Sequence, residues 1–408
     1  MPDHLLQPHY AENFRCIGAD CEDSCCEGWG MYVDKATYKK YRATTELRHA
    51  AAEHIELVPG ARDNFRYARM KFTAENRCPF LAADKLCNIQ KQHGDDFLPK
   101  TCSRYPRALV RFEGSIQKAL YLSCPEAARL VLISPQLLPP PDTPRYEFPL
   151  SQSQNLALSS SALARPLRRF ALDLLQDRSY PVWQRLFLLG TVCRRIHELT
   201  AAQQTTRIPQ LLAQHATMIL EGCLRPHLDG IPARPGPQLD AVLKLIQRRY
   251  QDDQPEQAFV TCVGDLLQAI SQSQQSAGAD PATRYHQAYL HYYQPFEQAN
   301  PPFMENYLLN YIFRTGFPFI GITDPTQRHL DPLTSYLLLA LHYRLLQSLL
   351  IGAAARHRHE FSLAHAVQLV PAFARAVEHN VKFAEELMSL ARSPQMQNSD
   401  SLAVLLRN

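Results

Sequence analysis

Eight of the eleven cysteines in this 408-residue chain fall within its first 124 residues: Cys16, Cys21, Cys25, Cys26, Cys78, Cys87, Cys102 and Cys124. Nothing else in the sequence constrains the fold as strongly. The first ten residues hold Asp3, His4 and two prolines, with no apolar run, so they do not read as a secretory signal. The expected compartment is the cytoplasm, where thiols stay reduced. Clustered thiols there point to metal binding or redox chemistry rather than to disulfides. Cys193, Cys223 and Cys262 lie far apart, each in an apolar helical setting, and read as small buried hydrophobes.

The densest run, Cys16-x4-Cys21-x3-Cys25-Cys26, places four thiols within eleven residues. Spacings this short keep the cost of closing a loop around one soft cation or cluster small. Gly18 and Gly28 permit the tight backbone such a loop requires. Neighbouring Cys25 and Cys26 point in different directions, so one faces a given metal and the other packs or serves a second metal. Cys78, Cys87, Cys102 and Cys124 follow at wider gaps, and proline comes directly after Cys78 and Cys124. Thiolate sites suit zinc and iron–sulfur clusters equally well by geometry. The paired C-x2-C knuckles of structural zinc are missing. So is the C-x3-C-x2-C run of radical enzymes, since Gly28 stands where its third cysteine belongs. With so many thiols at hand, His4 and His93 are not needed as ligands.

Three regions are expected: a Cys-rich metal-binding domain over 1–134, a Pro/Ser-rich linker over 135–161, and an α-helical domain over 162–408. In the first, helical spacing covers Lys35 to Tyr41, Thr45 to Leu57 and Ala127 to Leu132. In the last it covers Ala162 onward, Val182 to Leu199, Ile208 to Leu220, Leu239 to Ile246 and Phe259 to Ile270. It resumes over Tyr285 to Tyr293, Phe303 to Phe313, Leu333 to Ile351 and Leu363 to Leu387, with a break or kink expected at Pro371. The predicted fold class is mainly α, a small metal-centred domain followed by an all-helical one. The apolar stretch Tyr336 to Ala355 is interrupted by His342, Arg344 and Gln347 and reads as a core helix rather than a membrane span. Glycine is scarce, at 15 residues, and no Gly-rich dinucleotide fingerprint precedes a helix. A formal charge of +4 is too small for a dedicated nucleic-acid binder.

Asn306 and Asn310 share one helical face, extended by Arg314, and Tyr307 and Tyr311 share the next. They form a candidate cofactor-binding row; the alternative is a helix–helix contact with hydrogen-bonded amides. The tyrosine stripe Tyr285, Tyr289, Tyr292 and Tyr293, with His286 and His291, reads as core. Trp29 reads as a cover over the metal loop. Asp20, Glu22, Asp23 and Glu27 read as solvent-facing, since carboxylates beside thiolates repel them. No residue can be assigned as catalytic.

The ordered set Cys16-x4-Cys21-x3-Cys25-Cys26-x-Gly-Trp29, Cys78-Pro-Phe-Leu, Cys102-Ser-x-Tyr-Pro-Arg107 and Ser123-Cys124-Pro-Glu126 resembles the flagellin lysine-N-methylase (FliB) family. The later string Glu305-Asn306-Tyr307-Leu308-Leu309-Asn310-Tyr311 with Phe317-Pro318-Phe319 is similar to it as well. The cysteine region also resembles the broader CxxCxxCC-type zinc- or iron-chelating domains. The family resemblance implies methyl transfer from S-adenosylmethionine to the ε-amines of surface lysines on flagellin. It also implies a [4Fe–4S] cluster held by four of the eight N-terminal cysteines, with zinc as the alternative metal. Flagellin is then the partner, with no role for nucleic acid or a membrane. The competing reading is a non-enzymatic metal-binding scaffold.

Overall fold

A computed structural model describes residues 8, 10–27, 30–60, 63–112, 115–139, 160–252, 254–271, 278–319 and 331–408. Trp29, Gly28 and His4 lie outside these residues, as does most of the proline- and serine-rich stretch 135–161. The chain is mainly α, as expected. Its buried apolar residues form two cores.

The smaller core is built on a three-stranded antiparallel sheet in the order β1 (Tyr32–Val33), β3 (Ala68–Met70), β2 (Ile55–Leu57). Met31, Val33, Tyr41, Leu47, Ala51, Ile55, Ala68 and Met70 pack together with Cys78, Phe80 and Ile89. The Lys35–Ala43 helix starts where Asp34 caps it, accepting the Thr37 N–H at 3.2 Å and the Thr37 hydroxyl at 2.8 Å. The same carboxylate accepts the Lys100 N–H at 3.0 Å. One cap thereby ties the short Lys100–Arg104 helix, which carries Cys102, to the sheet. The expected helix over Thr45 to Leu57 is shorter. It ends at His54, and Ile55, Glu56 and Leu57 pair with Met70, Arg69 and Ala68. Ile55 is β-branched and finds a sheet partner, which outweighs the weak propensity to extend the helix.

The larger core centres on the Pro332–His357 helix, capped by Asp331 and buried along its length through Ala354. It is long and apolar enough to cross a membrane by length and composition, yet it is enclosed by other helices. Two glycines set the closest approaches. At Gly352 a Cβ would stand 2.5 Å from the Leu266 Cα, and at Gly190 one would stand 2.5 Å from the Tyr336 ring. The helices Val182–Ala201 and Gln257–Ser271 meet the central helix there.

This core also takes in N-terminal residues. A hairpin of β4 (Arg107–Phe112) and β5 (Ser115–Leu120), absent from the sequence reading, contributes Ala108, Phe112, Ala119 and Leu120. The Pro125–Leu132 helix adds Ala127, Ala128, Val131 and Leu132. The stretch from Leu363 to Leu387 is interrupted just after Pro371, close to the expected break, and forms three pieces. A helix runs Leu363–Phe373, a π-helical turn follows over Ala374–Glu378, and a new helix capped by Asn380 spans Val381–Ala391. Pro371 removes an N–H from the ladder three residues before the turn widens. The tyrosine stripe is core at Tyr285, Tyr289 and Tyr293. Cys193 is fully buried as expected, Cys262 is partly buried, and Cys223 is exposed in the turn after the Ile208–Leu220 helix.

Candidate metal centre and the adjoining polar network

The eight N-terminal cysteines are all free thiols. Four of them share the smaller core: Cys78 is buried there, with Cys26, Cys87 and Cys102 packed against it. Backbone pairing brings them in. The Cys78 N–H donates to the Cys26 carbonyl at 2.8 Å, and Cys87 forms an isolated bridge with Leu81 before it starts the Asn88–His93 helix. Cys102 lies 3.9 Å from the Met31 sulfur. The other thiols border this group. Cys124 starts the Pro125–Leu132 helix, and the charges of Cys21 and Cys25 bear on it.

These thiols resist ionisation on their own. Burial holds Cys78 up at about 11, reinforced by the charges of Cys87 and Cys25. Burial and the charges of Cys78 and Cys87 push Cys102 up further. Burial puts Cys124 at about 12. Cys25 moves the other way, to about 7, because the Cys26 thiol donates to it. A soft cation among such groups supplies the charge that lets them ionise together. The donor set therefore fits a thiolate-bound metal or cluster. Among the described residues no three such side chains already stand as a coordination sphere, so loading a metal requires the thiols to turn toward it.

Asp20 and Glu22 are exposed, as expected, and Glu22, Asp23 and Glu27 also hold ion pairs. Glu22 takes a two-pronged contact from Arg129 at 2.6 and 3.0 Å, which holds its carboxyl below the usual range. Asp23 pairs with Arg375 at 2.6 Å, and Glu27 with Arg77 at 2.7 Å. Arg375 also reaches Glu256 at 2.8 Å. These contacts clamp the cysteine loop against the helical part of the chain. Between them opens a cleft of about 1170 Å³. Glu22, Asp23, Glu27, Glu75 and Glu256 line it with Arg129 and Arg375, against an apolar wall that includes Leu363, Val367 and Pro371.

The candidate cofactor row divides. Asn306 is a staple: its amide donates to the carbonyls of Val131 at 2.9 Å and Ser134 at 2.7 Å. Asn310 is another. Its carbonyl oxygen accepts from the Tyr10 hydroxyl at 2.7 Å and the Leu120 N–H at 3.3 Å, and its amide donates to the Leu120 carbonyl at 2.9 Å. For these two, the helix-contact alternative describes what the structure holds. Tyr307, Tyr311 and Arg314 instead join a buried polar network. The Tyr307 hydroxyl donates to Glu378 Oε1 at 2.9 Å, and Arg314 Nη2 lies 3.1 Å from the same oxygen. The Tyr311 ring lies tilted against His342, and the Arg314 guanidinium sits over the rings of Tyr311 and Tyr121.

Glu378, His379, Ser123 and Tyr105 belong to the same seam, and sequence reading singled out none of them as functional. His379 Nε2 lies 2.8 Å from the Ser123 hydroxyl, which lies 2.9 Å from the Tyr105 hydroxyl. Arg375 donates to the Ser123 carbonyl at 3.1 Å. Ser123 is the residue before Cys124, so the network abuts the thiol set. Contacts of this kind join residues more than 250 positions apart, and no local pattern announces them.

Burial pulls His379 down to about 4 from an ordinary histidine value near 6.5. Between those values the unfolded chain takes up a proton that folded His379 refuses. The stabilisation is complete above pH 6.5 and is lost as pH falls toward 4, by about 3 kcal/mol. Buried Glu297, raised to about 7, works in the opposite sense: it adds stability below about 4.5 that disappears as pH rises through 7. Urea titrations at pH 7 and 5 on the native chain and on His379→Gln separate the two. The variant should lose less stability on acidification.

Residues 168–405 match the model of the FliB lysine N-methylase C-terminal domain. The chain is 24% identical over 397 residues to a protein named lysine-N-methylase from Salmonella choleraesuis, covering 93% of each, and matches that of Salmonella typhimurium equally. Over 137 residues it is 35% identical to the flagellar biosynthetic protein FliU of Salmonella muenchen, covering 33% of this chain and 80% of that protein. No solved structure matches it. With the family model spanning more than half of its length, the chain belongs to the FliB lysine N-methylase family.

Proposed function

We propose that the chain is an S-adenosylmethionine-dependent protein-lysine N-methyltransferase of the cytoplasm that acts on flagellin and carries a cysteine-ligated [4Fe–4S] cluster. The observation that carries this reading is the seam: in a chain of this family, a set of free thiols meets a buried network of carboxylate, guanidinium, imidazole and phenol groups beside an open cleft. The names of the Salmonella relatives support lysine as the acceptor and a flagellar protein as its carrier. Cys26, Cys78, Cys87 and Cys102 are the first choice of ligands, because they already share one core. Cys16, Cys21, Cys25 and Cys124 remain for a second metal or as spare thiols. A cluster held by all four first-choice ligands would have no iron open to the donor; when bound it would supply structural support and charge to the small core.

The protein's own part is to select and prepare the amine. A lysine free in water is almost wholly protonated at neutral pH, since its ordinary value is near 10.4. Transfer needs it desolvated, stripped of a proton and in line with the sulfonium methyl. The cleft offers carboxylates to attract the amine and an apolar wall for its stem, and the buried polar seam lies beside it. The test is analysis of anaerobically purified protein for iron, sulfide and zinc, together with the intact mass of co-expressed flagellin. Iron with sulfide, and flagellin heavier by steps of about 14 Da, the mass of a methyl in place of hydrogen, are expected. Stoichiometric zinc without sulfide and unmodified flagellin would favour the scaffold.

A further inference from the structure

Glu378 has an unusual environment for a carboxylate. Its side chain is 2% exposed, and its two oxygens are treated differently. Oε1 takes both the Tyr307 hydroxyl and Arg314. Oε2 is buried with no hydrogen-bond partner. A buried carboxylate oxygen without a partner has lost its hydration uncompensated, so such a group in a folded core points to a missing ligand or water. The backbone is special at the same place. Glu378 closes the π-helical turn Ala374–Glu378, and single π-turns inside helices cluster at functional sites.

Of this turn, Arg375 reaches the cleft lining and Glu378 does not. The Leu363–Phe373 helix forms part of the cleft wall, and Arg375, the second residue of the π-turn, lines it. Arg375 bridges inward as well, from Asp23 and Glu256 at the cleft to the Ser123 carbonyl, and Ser123 contacts His379. One short segment therefore links the open cleft to the orphaned oxygen.

We propose that Glu378 Oε2 receives the ε-amine of the substrate lysine, which enters from the cleft beside Arg375. This rests on the lysine-methylation reading and names the residue that binds the acceptor. The surroundings suit a lysine. The apolar cleft wall takes the methylene stem, and Glu378 takes the nitrogen. Arg314, already on Oε1 of the same carboxylate, disfavours a second positive charge, so the amine is oriented by the carboxylate without being locked as an ammonium. Tyr307 and Arg314 draw on Oε1 and fix the carboxylate so that Oε2 alone is offered.

The experiment measures binding of Nα-acetyl-lysine-N-methylamide to the anaerobically purified full chain, against the norleucine analogue that lacks the amine. The native protein should prefer the lysine probe. Glu378→Gln should weaken lysine binding about 10- to 100-fold and leave the norleucine analogue unaffected, the range for a hydrogen bond to a charged group. Glu378→Asp pulls the carboxylate back by one carbon and should shift the preference to the homolysine probe, a rescue that mere structural damage would not produce. Equal binding of lysine and norleucine by the native chain would overturn the proposal. So would an undiminished lysine preference in a folded Glu378→Gln, or in Glu378→Asp if the first variant does not fold. Flagellin methylation is scored separately. A lysine preference that depends on Glu378, with no methyl transfer, keeps the amine site and removes the methyltransferase reading. Methyl transfer with binding indifferent to Glu378 does the reverse.

Discussion

Serine at Cys78 or Cys102 is expected to abolish metal loading and to unfold the small core around the three-stranded sheet. Both thiols are packed with Cys26 and Cys87 in a core of only eleven buried apolar residues. A core that small supplies little stability by itself, and the proposed metal would supply much of the remainder. Serine replaces a soft, ionisable thiol with a hard hydroxyl that ionises poorly, so the ligand is lost while the volume hardly changes. The larger core does not contain these residues and should melt as before. Cys193→Ala is the control. Its thiol is fully buried among helices, so the change should leave iron unaltered and cost only about 1 kcal/mol, the loss of a small apolar group. Iron content and a two-step thermal scan, read side by side, check both variants. Full iron in Cys78→Ser and Cys102→Ser would move the metal to the outer thiols.

Glu305→Ala should destabilise the helical core by about 3–5 kcal/mol, the cost of stranding one partner of a buried ion pair. Glu305 opens the Glu305-to-Tyr311 string and is almost wholly buried. It accepts from Arg185 Nη1 at 2.9 Å and from Arg178 Nε and Nη2 at 3.0 and 2.9 Å. Arg178 is half exposed and can turn to water, so its share is small. Arg185 cannot. It is 4% exposed and also donates to the carbonyls of Tyr180 and Leu175, both at 2.6 Å. Removing the carboxylate strands that guanidinium, and burial already presses its ionisation down. Replacing both members, with Arg185→Met and Glu305→Leu, should recover much of the loss because it leaves no charge behind. Urea denaturation of the three variants at pH 7 measures the difference.

The sequence made some of this architecture readable and hid the rest for identifiable reasons. The long helices were legible because their apolar residues recur at three and four, as in the Ile208–Leu220 helix, which matches its expected span. The β4–β5 hairpin carries a readable alternation in a stretch that reads as irregular between cysteines. Ala108 and Phe112 point inward and Leu109 outward, with Glu113-Gly114 between the strands. The thiol set was legible as a composition anomaly, but which thiols share a core depends on the Asp34 cap and the Cys26–Cys78 pairing across 52 residues. The asparagine row looked like a pocket because both amides lie on one face. The neighbours that consume those amides, Leu120, Val131 and Ser134, arrive from elements with no periodic relation to that helix. Glu378 and His379 were invisible for the same reason: their significance comes from Tyr307, Arg314 and Ser123, all distant in sequence.

Metal-dependent transfer of methyl from S-adenosylmethionine to lysine can be followed with an isotope. Anaerobically purified protein of known iron and sulfide content is incubated with unmodified flagellin and S-adenosylmethionine whose methyl is fully deuterated. Mass steps of about 17 Da are expected on flagellin, the mass of a trideuteromethyl group in place of hydrogen, each mapped by fragmentation to a lysine nitrogen. Flagellin of unchanged mass, after incubation with protein that holds its iron and sulfide, would contradict that transfer.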